Sequence, residues 1–578
     1  MHRDALNSTG GAEDSCPDTL PAASEPRVRT GPAFAACVGL IVLYLLPGLI
    51  GHDPWKQDET YISDIVHTML GTGDLAVPTM AGEPFMEKPP LYYWVAAACA
   101  RLFSPFLPLH DGARLANLLF MGATCALLAR TAQLSWKTVN AGVAPLLLLA
   151  CLGMEAHAHL MLTDLAMLPG FALALYALAL CRERPEWGGV LLGTGVGIGF
   201  LAKGMFAPGA IGMWAVLLPI CFKEWRQPWY RRVLAIGLGA ALPWMLAWPL
   251  DIYWRSPQLF VDWFWLNNVG RFIGFSVPML GAAHNPGFWL HNLPWFTFPA
   301  LPLALATLWQ GRARLLADTR LQLPAVLGAV LAAVLALSAS ARSNYALPLL
   351  LPLSLLAVPS AVSLPAALDR YWDWAARIGF GSFAALIWLV WLDMAARGSP
   401  PSWPVPASVL AHEFAAHPGM GGAALGACAT LAAIALGKPL LAGVGRGLCA
   451  WVIGLALCWA LLATLLLPWI DYSKSYRTVY SAIRAALPPT YRCISSAGLG
   501  ESERAMLDYY LGIATWRREA GVPRECDVLL VNGFKDRPPR DVDPARWALV
   551  WQGARPGDSK ERFWLFSGKT VHTATHTP

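Results

Sequence analysis

The stretch AFAACVGLIVLYLLPGLI at residues 33–50, followed at once by GHDPWKQDET at residues 51–60, decides the fold class of this chain. The first part carries no charged residue and is about as long as a helix that crosses the hydrocarbon core of a bilayer. The second part places two adjacent carboxylates, Asp58 and Glu59, just beyond that span. Charged side chains at membrane depth are costly, which makes them candidates for function.

The composition extends this pattern along the chain. Of 578 residues, 56% are hydrophobic and 14% are charged, whereas soluble domains carry about 25% charged residues. The apolar residues form continuous runs and not the alternating segments of about 10 residues that mark a β-barrel. We therefore predict an all-α polytopic membrane domain with about thirteen transmembrane helices. The predicted spans lie near residues 33–50, 112–131, 138–153, 161–181, 186–200, 204–222, 232–250, 290–310, 321–340, 344–364, 374–395, 421–437 and 447–470.

Positive charge orients the predicted helices. Alternate connections, such as residues 223–232 and 312–320, are rich in Lys and Arg, and the positive-inside rule places them in the cytoplasm together with the N-terminus. An odd number of spans then places the C-terminal part in the periplasm of a bacterium. The net charge of +6 follows from the same bias, so we predict no nucleic-acid partner. The sequence predicts no particular oligomeric state.

These observations divide the chain into three predicted parts. Residues 1–32 are polar and are predicted to be a disordered cytoplasmic tail without a signal peptide. Residues 33–470 form the membrane domain, with external loops at residues 51–111 and 251–289. Residues 471–578 are more charged and are predicted to form a soluble α/β domain.

Local patterns refine the external parts. Residues 59–70 and 90–103 have the amphipathic pattern of helices that lie on a membrane surface. The C-terminal part shows an amphipathic helix at 476–487 and strand-like runs at 491–495, 527–531 and 547–551. Cys493 and Cys526 lie in this part; they could form a disulfide if it is outside the cytoplasm, and would stay reduced otherwise.

The first external loop carries the strongest candidates for chemistry. Asp58 and Glu59 are neighbours, so on a helix their side chains point about 100° apart and at most one faces a given site. Asp58 is a catalytic candidate or, alternatively, the N-cap of the following helix. In Glu87-Lys88-Pro89-Pro90 the prolines fix the backbone and would hold Glu87 and Lys88 at the start of a helix. Lys88 suits phosphate binding, or it is an interfacial lysine that reaches toward water.

Further candidates lie at the external ends of other predicted spans. Asp164 follows Thr163 at the start of one span and is a candidate catalytic carboxylate or a helix cap. Lys203 stands in Phe200-Leu201-Ala202-Lys203-Gly204 between two apolar runs, where it needs a partner such as Asp58, Asp164 or a lipid phosphate. The remaining candidates on the external side are Arg271, His284, Arg342 and Tyr345. Carboxylates beside phosphate-binding cations suit the handling of a lipid-linked phosphate.

Together these motifs resemble the polytopic glycosyltransferases of the GT-C fold, and most closely the bacterial lipid A aminoarabinose transferases, relatives of the protein O-mannosyltransferases. The resemblance rests on Asp58-Glu59, Glu87-Lys88-Pro89-Pro90, Thr163-Asp164 and Lys203-Gly204, and it covers about residues 33–470. It implies an inverting enzyme of the bacterial inner membrane that moves 4-amino-4-deoxy-L-arabinose from undecaprenyl phosphate to a lipid A phosphate. It also implies resistance to polymyxin-type cationic peptides, because the added amine masks a negative phosphate.

The resemblance also implies a role for each matching residue. Asp58 matches the catalytic aspartate, and Glu59 and Asp164 are further catalytic candidates. The residues predicted to bind substrate or its lipid phosphate are Glu87, Lys88, Lys203, Arg271, Arg342 and Tyr345. No cofactor is required, although a divalent cation could assist with Glu87 and His284 as ligands.

Two other functions stay open, as does the role of Asp58. A related transferase would move a mannose-type sugar from a polyprenyl phosphate to a protein or glycan. A lipid transporter or flippase would need charges near the bilayer midplane and paired half-repeats, and no internal repeat is visible in the sequence. A lipid A phosphate is already ionised, so with that acceptor Asp58 need not be a base; it could position a substrate or stabilise developing positive charge.

Overall fold

The computed structural model describes residues 32–137, 139–276, 287–338, 342–401, 411, 414–415, 419–441, 444–521, 525–535, 537, 539 and 542–569. Most of these residues are helical. The α-helices are α1 (Pro32–Leu45), α2 (Asp58–Thr72), α3 (Leu91–Phe103), α4 (Leu109–Arg114), α5 (Ala116–Ser135), α6 (Val143–Ala150), α7 (Leu152–Ala158), α8 (Thr163–Leu180), α9 (Pro185–Lys203), α10 (Phe206–Cys221), α11 (Pro228–Arg255), α12 (Pro257–Val261), α13 (Arg271–Ile273), α14 (Phe288–Phe296), α15 (Ala300–Gln310), α16 (Thr319–Leu337), α17 (Leu350–Val362), α18 (Ala366–Arg397), α19 (Met420–Leu441), α20 (Arg446–Leu461), α21 (Leu467–Lys474), α22 (Arg477–Ala486) and α23 (Glu501–Leu511). The strands are β1 (Thr79–Met80), β2 (Glu83–Pro84), β3 (Ile494–Ala497), β4 (Trp516–Arg517), β5 (Val528–Phe534), β6 (Trp547–Gly553) and β7 (Glu561–Gly568).

Short turns of other helix types connect these elements. Two π-helical segments, Asp262–Gly270 and Leu462–Leu466, lie within longer helical stretches. The 3₁₀ turns are Lys223–Trp225, Ser343–Leu349 and Arg518–Ala520.

The membrane character predicted from composition is confirmed by the helices. Within the described residues, eight helical stretches are long and apolar enough to cross a membrane. They are Leu109–Ser135, Thr163–Leu180, Pro228–Arg255, Thr319–Leu337, Ser343–Val362, Ala366–Arg397, Met420–Lys438 and Arg446–Ala486. Four shorter apolar helices accompany them. The predicted number of about thirteen spans therefore stays a prediction.

Two of the predicted spans are not single helices, and this corrects the sequence interpretation. The stretch 138–153 contains α6, which ends because Cys151 adopts an extended conformation before α7 begins. The stretch 290–310 divides into α14 and α15 around Pro299, whose fixed φ and missing N–H interrupt a helix. Apolar composition alone reveals neither break.

The helical hairpin formed by α8 and α9 positions part of the site. The two helices are joined by a short turn, and glycines let their backbones approach: a Cβ added at Gly195 would lie 2.7 Å from the Gly170 carbonyl oxygen. Because the helices are antiparallel, the second residue of α8, Asp164, lies beside the last residue of α9, Lys203.

The predicted first external loop folds into α2, the β1–β2 hairpin and α3, so the two helices predicted there are confirmed as helices, and their place on a membrane surface stays a prediction. The second loop contains α12, the π-helical segment Asp262–Gly270 and α13. Its aromatic side chains pack on one another; Trp263, for example, lies edge-on to Phe200 and Trp248.

The C-terminal part contains a five-stranded sheet with strand order β4-β3-β5-β7-β6. Strand β3 is parallel to β4 and β5, whereas β7 is antiparallel to both β5 and β6. Helices α22 and α23 cover one face of the sheet through an apolar cluster that includes Tyr480, Met506 and Val528. Cys493 and Cys526 form a disulfide.

Polar contacts fasten this part to the end of the first span. The Arg477 guanidinium binds Asp53, and the Ser475 hydroxyl donates to the same carboxylate at 2.6 Å. The Trp55 indole N–H donates to Asp471 at 2.9 Å. Several charge-assisted contacts of this kind define one docked arrangement.

A second group of ion pairs fastens α23 over the first external loop. Arg504 binds Glu83 at 2.8 Å, and Lys56 binds both Glu503 at 2.9 Å and Glu561 at 2.8 Å. Glu503 and Arg504 are buried, whereas their partners Lys56 and Glu83 are partly exposed. The sheet-containing part is thereby held against the loop that carries Asp58 and Glu87.

The disulfide generates a prediction about stability. Cys493 and Cys526 are 33 residues apart, and closing a loop of this size stabilises the fold by about 3–4 kcal/mol in the chain-entropy model. We expect replacement of both by Ser to increase proteolysis of residues 471–578 under non-reducing conditions. The control is Cys428→Ser, which removes an exposed free thiol. Equal cleavage of oxidised wild type and the double variant would contradict the prediction.

Candidate active site

The α8–α9 hairpin provides the first ion pair of the site. Lys203 Nζ binds Asp164 Oδ1, and the Asn344 side-chain amide donates to Asp164 Oδ2 at 3.1 Å. Lys203 Nζ also lies 4.1 Å from the centroid of the Tyr345 ring, where the ring face attracts the cation. Of the three partners predicted for Lys203, namely Asp58, Asp164 and a lipid phosphate, the structure shows Asp164, which binds side chains from two other elements.

The corner after Lys203 is built on a glycine. Gly204 has a φ of +68°, which favours glycine, and the Asn268 side chain packs where a Cβ would project. Asn268 Oδ1 accepts from the backbone N–H of Met205 at 3.1 Å, and its amide donates to the Trp263 carbonyl at 2.9 Å. Asn268 thus attaches the aromatic loop to the Lys203-Gly204 corner.

The motif Glu87-Lys88 forms the second charged group. Glu87 accepts from Lys88 Nζ at 2.5 Å and also binds the Arg271 guanidinium. Burial would raise the pKa of Glu87, but the two cations outweigh it and hold the pKa well below its usual range. The pKa of Lys88 is raised, because its attraction to Glu87 outweighs the burial that opposes it. Pro90 directly precedes α3, as the motif predicts.

Asp58 is the first residue of α2 and not its N-cap, since Gln57 occupies that position. Its carboxylate accepts a hydrogen bond from the Tyr61 hydroxyl, one helical turn along. Burial raises the pKa of Asp58, and the negative charges of Asp164 and Glu87 raise it further, against the effects of Tyr61 and nearby Lys88. This carboxylate accepts a proton more readily than an ordinary aspartate.

A cavity of about 450 Å³ lies in front of these groups. Four of the predicted residues line it, namely Asp58, Glu87, Arg271 and Arg342. Lys88, Asp164, Lys203 and Tyr345 lie behind this lining and contact it or one another. Residues 500–503, at the start of α23, also line the cavity. The cavity thus lies between the membrane domain and the C-terminal sheet.

Arg342 differs from the other cations of the site. Lys88, Arg271 and Lys203 each bind a carboxylate, whereas the Arg342 guanidinium makes no hydrogen bond or ion pair with any described residue. Burial would lower the pKa of Arg342, but the groups of Tyr345, Glu87 and Asp58 raise it, so the side chain stays charged. It offers an uncommitted cation to an anionic ligand.

Glu59, which was predicted as a further catalytic residue, does not line the cavity. It is buried, and its carboxylate binds Arg114 Nε at 2.9 Å and accepts from the backbone N–H groups of Trp55 at 3.1 Å and Met161 at 3.2 Å. Arg114 is also fully buried and binds Asp111 at 2.8 Å. We conclude that Glu59 holds the loop together, because all of its contacts are to the protein itself.

The predicted metal ligands remain without a structural test. His284 lies outside the described residues. Across the part of the chain that the structure describes, no group of three or more His, Cys, Asp or Glu side chains could hold a metal ion. The Glu87 carboxylate is engaged by Lys88 and Arg271.

Several residues of the cavity were not found from the sequence. Tyr61 has a sequence signal, because it lies three residues after Asp58 and therefore on the same helix face. Lys56 also has one, because it lies two residues before Asp58. Asn267 and Glu501 carry no such signal, since each reaches Asp58 only through packing of segments distant in sequence.

Comparisons with known proteins agree with this architecture. Residues 87–248 match the family model described as dolichyl-phosphate-mannose-protein mannosyltransferase. The chain is 31% identical over 336 residues to the undecaprenyl phosphate-α-4-amino-4-deoxy-L-arabinose arabinosyl transferase of Pseudomonas aeruginosa (strain UCBPP-PA14), and 28% identical over 340 residues to that of Aeromonas salmonicida. The matches cover 54% and 56% of this chain, and 57% and 59% of the relatives' length.

The fold has a solved counterpart. The crystal structure of ArnT from Cupriavidus metallidurans bound to undecaprenyl phosphate aligns with a TM-score of 0.68 and 16% identity, covering 93% of this chain and 98% of that one. The apo structure of the same protein aligns with a TM-score of 0.67. The GT-C-type fold and the resemblance to the aminoarabinose transferases, both predicted from the motifs, are confirmed.

The placement of Glu59 generates a prediction that separates it from Asp58. Removing one partner of a buried ion pair costs about 3–5 kcal/mol, because the other charge stays buried without compensation. We expect Arg114→Gln to lower the thermal unfolding midpoint in detergent strongly, whereas Asp58→Asn leaves it nearly unchanged.

A double-mutant cycle provides the control. Glu59→Gln combined with Arg114→Gln should destabilise by less than the sum of the two single changes, since the pair is lost only once. Additive effects, or an equally unstable Asp58→Asn variant, would contradict the assignment of Glu59 to structure.

Proposed function

We propose that this chain is an inverting glycosyltransferase that moves 4-amino-4-deoxy-L-arabinose from undecaprenyl phosphate to a lipid A phosphate at the periplasmic face of the bacterial inner membrane. The main observation in support is that Asp58, Arg271 and Arg342 line one cavity. The names of the curated relatives supply the sugar and its carrier. The matched segments span less than two thirds of those relatives, so the complete activity is a proposal for this chain.

The donor phosphate fits the cations of the cavity. Arg342 has no partner among the described residues, and Arg271 shares one carboxylate with Lys88. The guanidinium groups can each give two parallel hydrogen bonds to phosphate oxygens. A bound phosphate would compete with Glu87 for Arg271 and Lys88, which makes Glu87 a counter-charge that holds both cations until substrate arrives.

The transfer step needs one bond to form and one to break. An oxygen of the lipid A phosphate attacks C1 of the sugar from the face opposite the leaving group, and the bond from C1 to the undecaprenyl phosphate oxygen breaks. The departing phosphate takes the electron pair and is stabilised by Arg271 and Arg342. Inversion at C1 follows from attack on the opposite face.

Asp58 does not have to remove a proton in this step. A phosphate monoester has a second pKa of about 6 and is largely ionised at neutral pH. Asp58 can therefore orient the acceptor and stabilise the positive charge that develops on the sugar ring. Because its pKa is raised, it can also take the proton of an acceptor that arrives protonated.

The proposed topology follows from charge. Alternate connections rich in Lys and Arg place the N-terminus in the cytoplasm and residues 471–578 in the periplasm. The Cys493–Cys526 disulfide supports an oxidising location for the C-terminal part. The product would carry an added amine on lipid A, which weakens the attraction of polymyxin-type peptides. A divalent cation held by Glu87 and His284 stays a prediction.

A related activity is the second candidate. The family model that matches residues 87–248 is named for transfer of mannose from dolichyl phosphate to protein. A protein or sugar hydroxyl must lose its proton during attack, so Asp58 would then act as a general base. The two functions are therefore separated by the acceptor that becomes modified.

The proposal predicts a modified lipid A. In bacteria that lack their own aminoarabinose transferase but make the lipid-linked donor, expression of this chain should add one aminopentose to lipid A, detected by mass spectrometry. Asp58→Asn should lower transfer at least about 100-fold, because a positioned group that acts in the transition state contributes on that order.

The matched control is Glu186→Gln, which removes an exposed carboxylate paired with Arg232. It should transfer the sugar like wild type. Unmodified lipid A together with glycosylated secreted protein would favour the second candidate. Full transfer by a folded Asp58→Asn variant would contradict the role of Asp58.

The uncommitted guanidinium generates a prediction about donor binding. Loss of one hydrogen bond to a charged group costs about 1.5–3 kcal/mol. We expect Arg342→Gln to raise the KM for the lipid-linked donor about 10-fold or more, with Arg342→Lys intermediate because it keeps the charge but not the planar fork. Steady-state kinetics in detergent measure this, with the exposed Arg312→Gln as control. An unchanged KM in Arg342→Gln would exclude a role in binding the phosphate.

A further inference from the structure

The cavity has a carboxylate that the transfer chemistry does not use. Four carboxylates line it, from Asp58, Glu87, Glu501 and Glu503. Asp58 accepts from a tyrosine hydroxyl, Glu87 binds two cations, and Glu503 binds Lys56. Glu501 makes no hydrogen bond or ion pair with any residue that the structure describes. It is therefore the carboxylate of the cavity that is available to a ligand.

Glu501 has a defined position although its own side chain is uncommitted. Glu501 is the first residue of α23, and contacts of Glu503 and Arg504 anchor the first turn of this helix. Glu503 accepts from the Tyr476 hydroxyl at 2.7 Å and binds Lys56 at 2.9 Å, and Arg504 binds Glu83 at 2.8 Å. The backbone that carries Glu501 is thus fixed relative to the first external loop.

Charges of both signs surround Glu501. The partial positive charge at the start of α23 stabilises the ionised carboxylate in place. Burial raises the pKa of Glu501 and the nearby negative charge of Glu87 raises it further, while Arg504, Arg271 and Lys88 oppose them. A bound cation would relieve the cost of holding this charge beside Glu87.

The shape of an amino sugar matches the two charged sides of the cavity. In a six-membered sugar ring with phosphate at C1 and an amine at C4, the two substituents project from opposite ends of the ring. Arg271 and Arg342 line the cavity from the membrane domain, and Glu501 lines it from α23. A donor whose phosphate binds the arginines can then place its amine at the Glu501 carboxylate.

We propose that Glu501 binds the ammonium group of the transferred amino sugar and makes the site select a cationic sugar over a neutral one. This inference rests on the proposed function and adds a specificity-determining residue from the C-terminal part. The interaction is one charge-assisted hydrogen bond from the ammonium group to the Glu501 carboxylate.

The experiment compares two donors that differ only in charge. The probes are a polyprenyl phosphate that carries 4-amino-4-deoxyarabinose and one that carries arabinose, and the readout is the Kd of each for the full-length protein in detergent. Wild type should bind the amino donor about 10- to 100-fold more tightly, as expected for one hydrogen bond between charged groups. Glu501→Gln should remove this preference and leave the Kd for the neutral donor unchanged.

Two further variants control for general effects. Glu501→Asp keeps the charge on a shorter side chain and should retain part of the preference. Glu525→Gln makes the same chemical change at an exposed position of the C-terminal part and should behave like wild type. The inference is overturned if wild type shows no preference, or if Glu501→Gln keeps it.

The binding ratio and the transfer assay fail independently. If wild type prefers the amino donor but transfers no sugar to lipid A, the proposed function fails and the assignment of Glu501 stands. If wild type transfers the amino sugar but binds both donors equally, the assignment of Glu501 fails and the proposed function stands.

Discussion

A buried guanidinium organises the part of this protein that carries Asp58. Arg114 is completely shielded from solvent, and it binds Glu59, Asp111 and the carbonyl of Leu49. An uncompensated charge at this depth would be very costly, so the three segments that supply these partners must stay together. The start of α2 is one of them, and Asp58 is the residue next to Glu59. The position of the candidate catalytic carboxylate therefore depends on an ion pair that takes no part in the chemistry.

In the cavity, too, buried charges are paired with groups of opposite charge. Lys203 is matched by Asp164, and Lys88 and Arg271 share Glu87, so most charges of the site are paired within the protein. These pairs and Arg342 together carry two more positive than negative charges, and the carboxylates of Asp58 and Glu501 balance them. Such a site holds its cations in place at low cost and leaves the Arg342 guanidinium available. Under the proposed function, binding of a lipid-linked phosphate would exchange internal partners for ligand oxygens, which keeps the desolvation cost small.

The sequence predicts the parts of this arrangement that follow from short-range rules. That Lys203 needs an anionic partner could be predicted, because a lone lysine between apolar runs is costly, and Asp164 was one of three candidates for that partner. The sequence could not tell which of Asp58 and Glu59 reaches the cavity. The buried face of α2 is set by Arg114, which lies 55 residues from Glu59 in the chain. The breaks at Cys151 and Pro299 were missed because hydrophobicity measures burial in lipid and not helix continuity. No local pattern marks Glu501, since its place is set by docking of the C-terminal part.

The docked C-terminal part supplies one part of the cavity lining. The membrane domain alone would supply Asp58 and the cations on one side of an open groove, where water would screen every charge. Residues 500–503 turn the groove into a cavity, and Lys56 links its lining directly to Glu503 and Glu561. The ion pairs that hold α23 therefore also reduce the contact of the buried lining with solvent, which strengthens its electrostatic interactions, whereas Gly500 and Glu501 stay exposed. Two parts that differ in composition and architecture form one site, and neither part forms the cavity by itself.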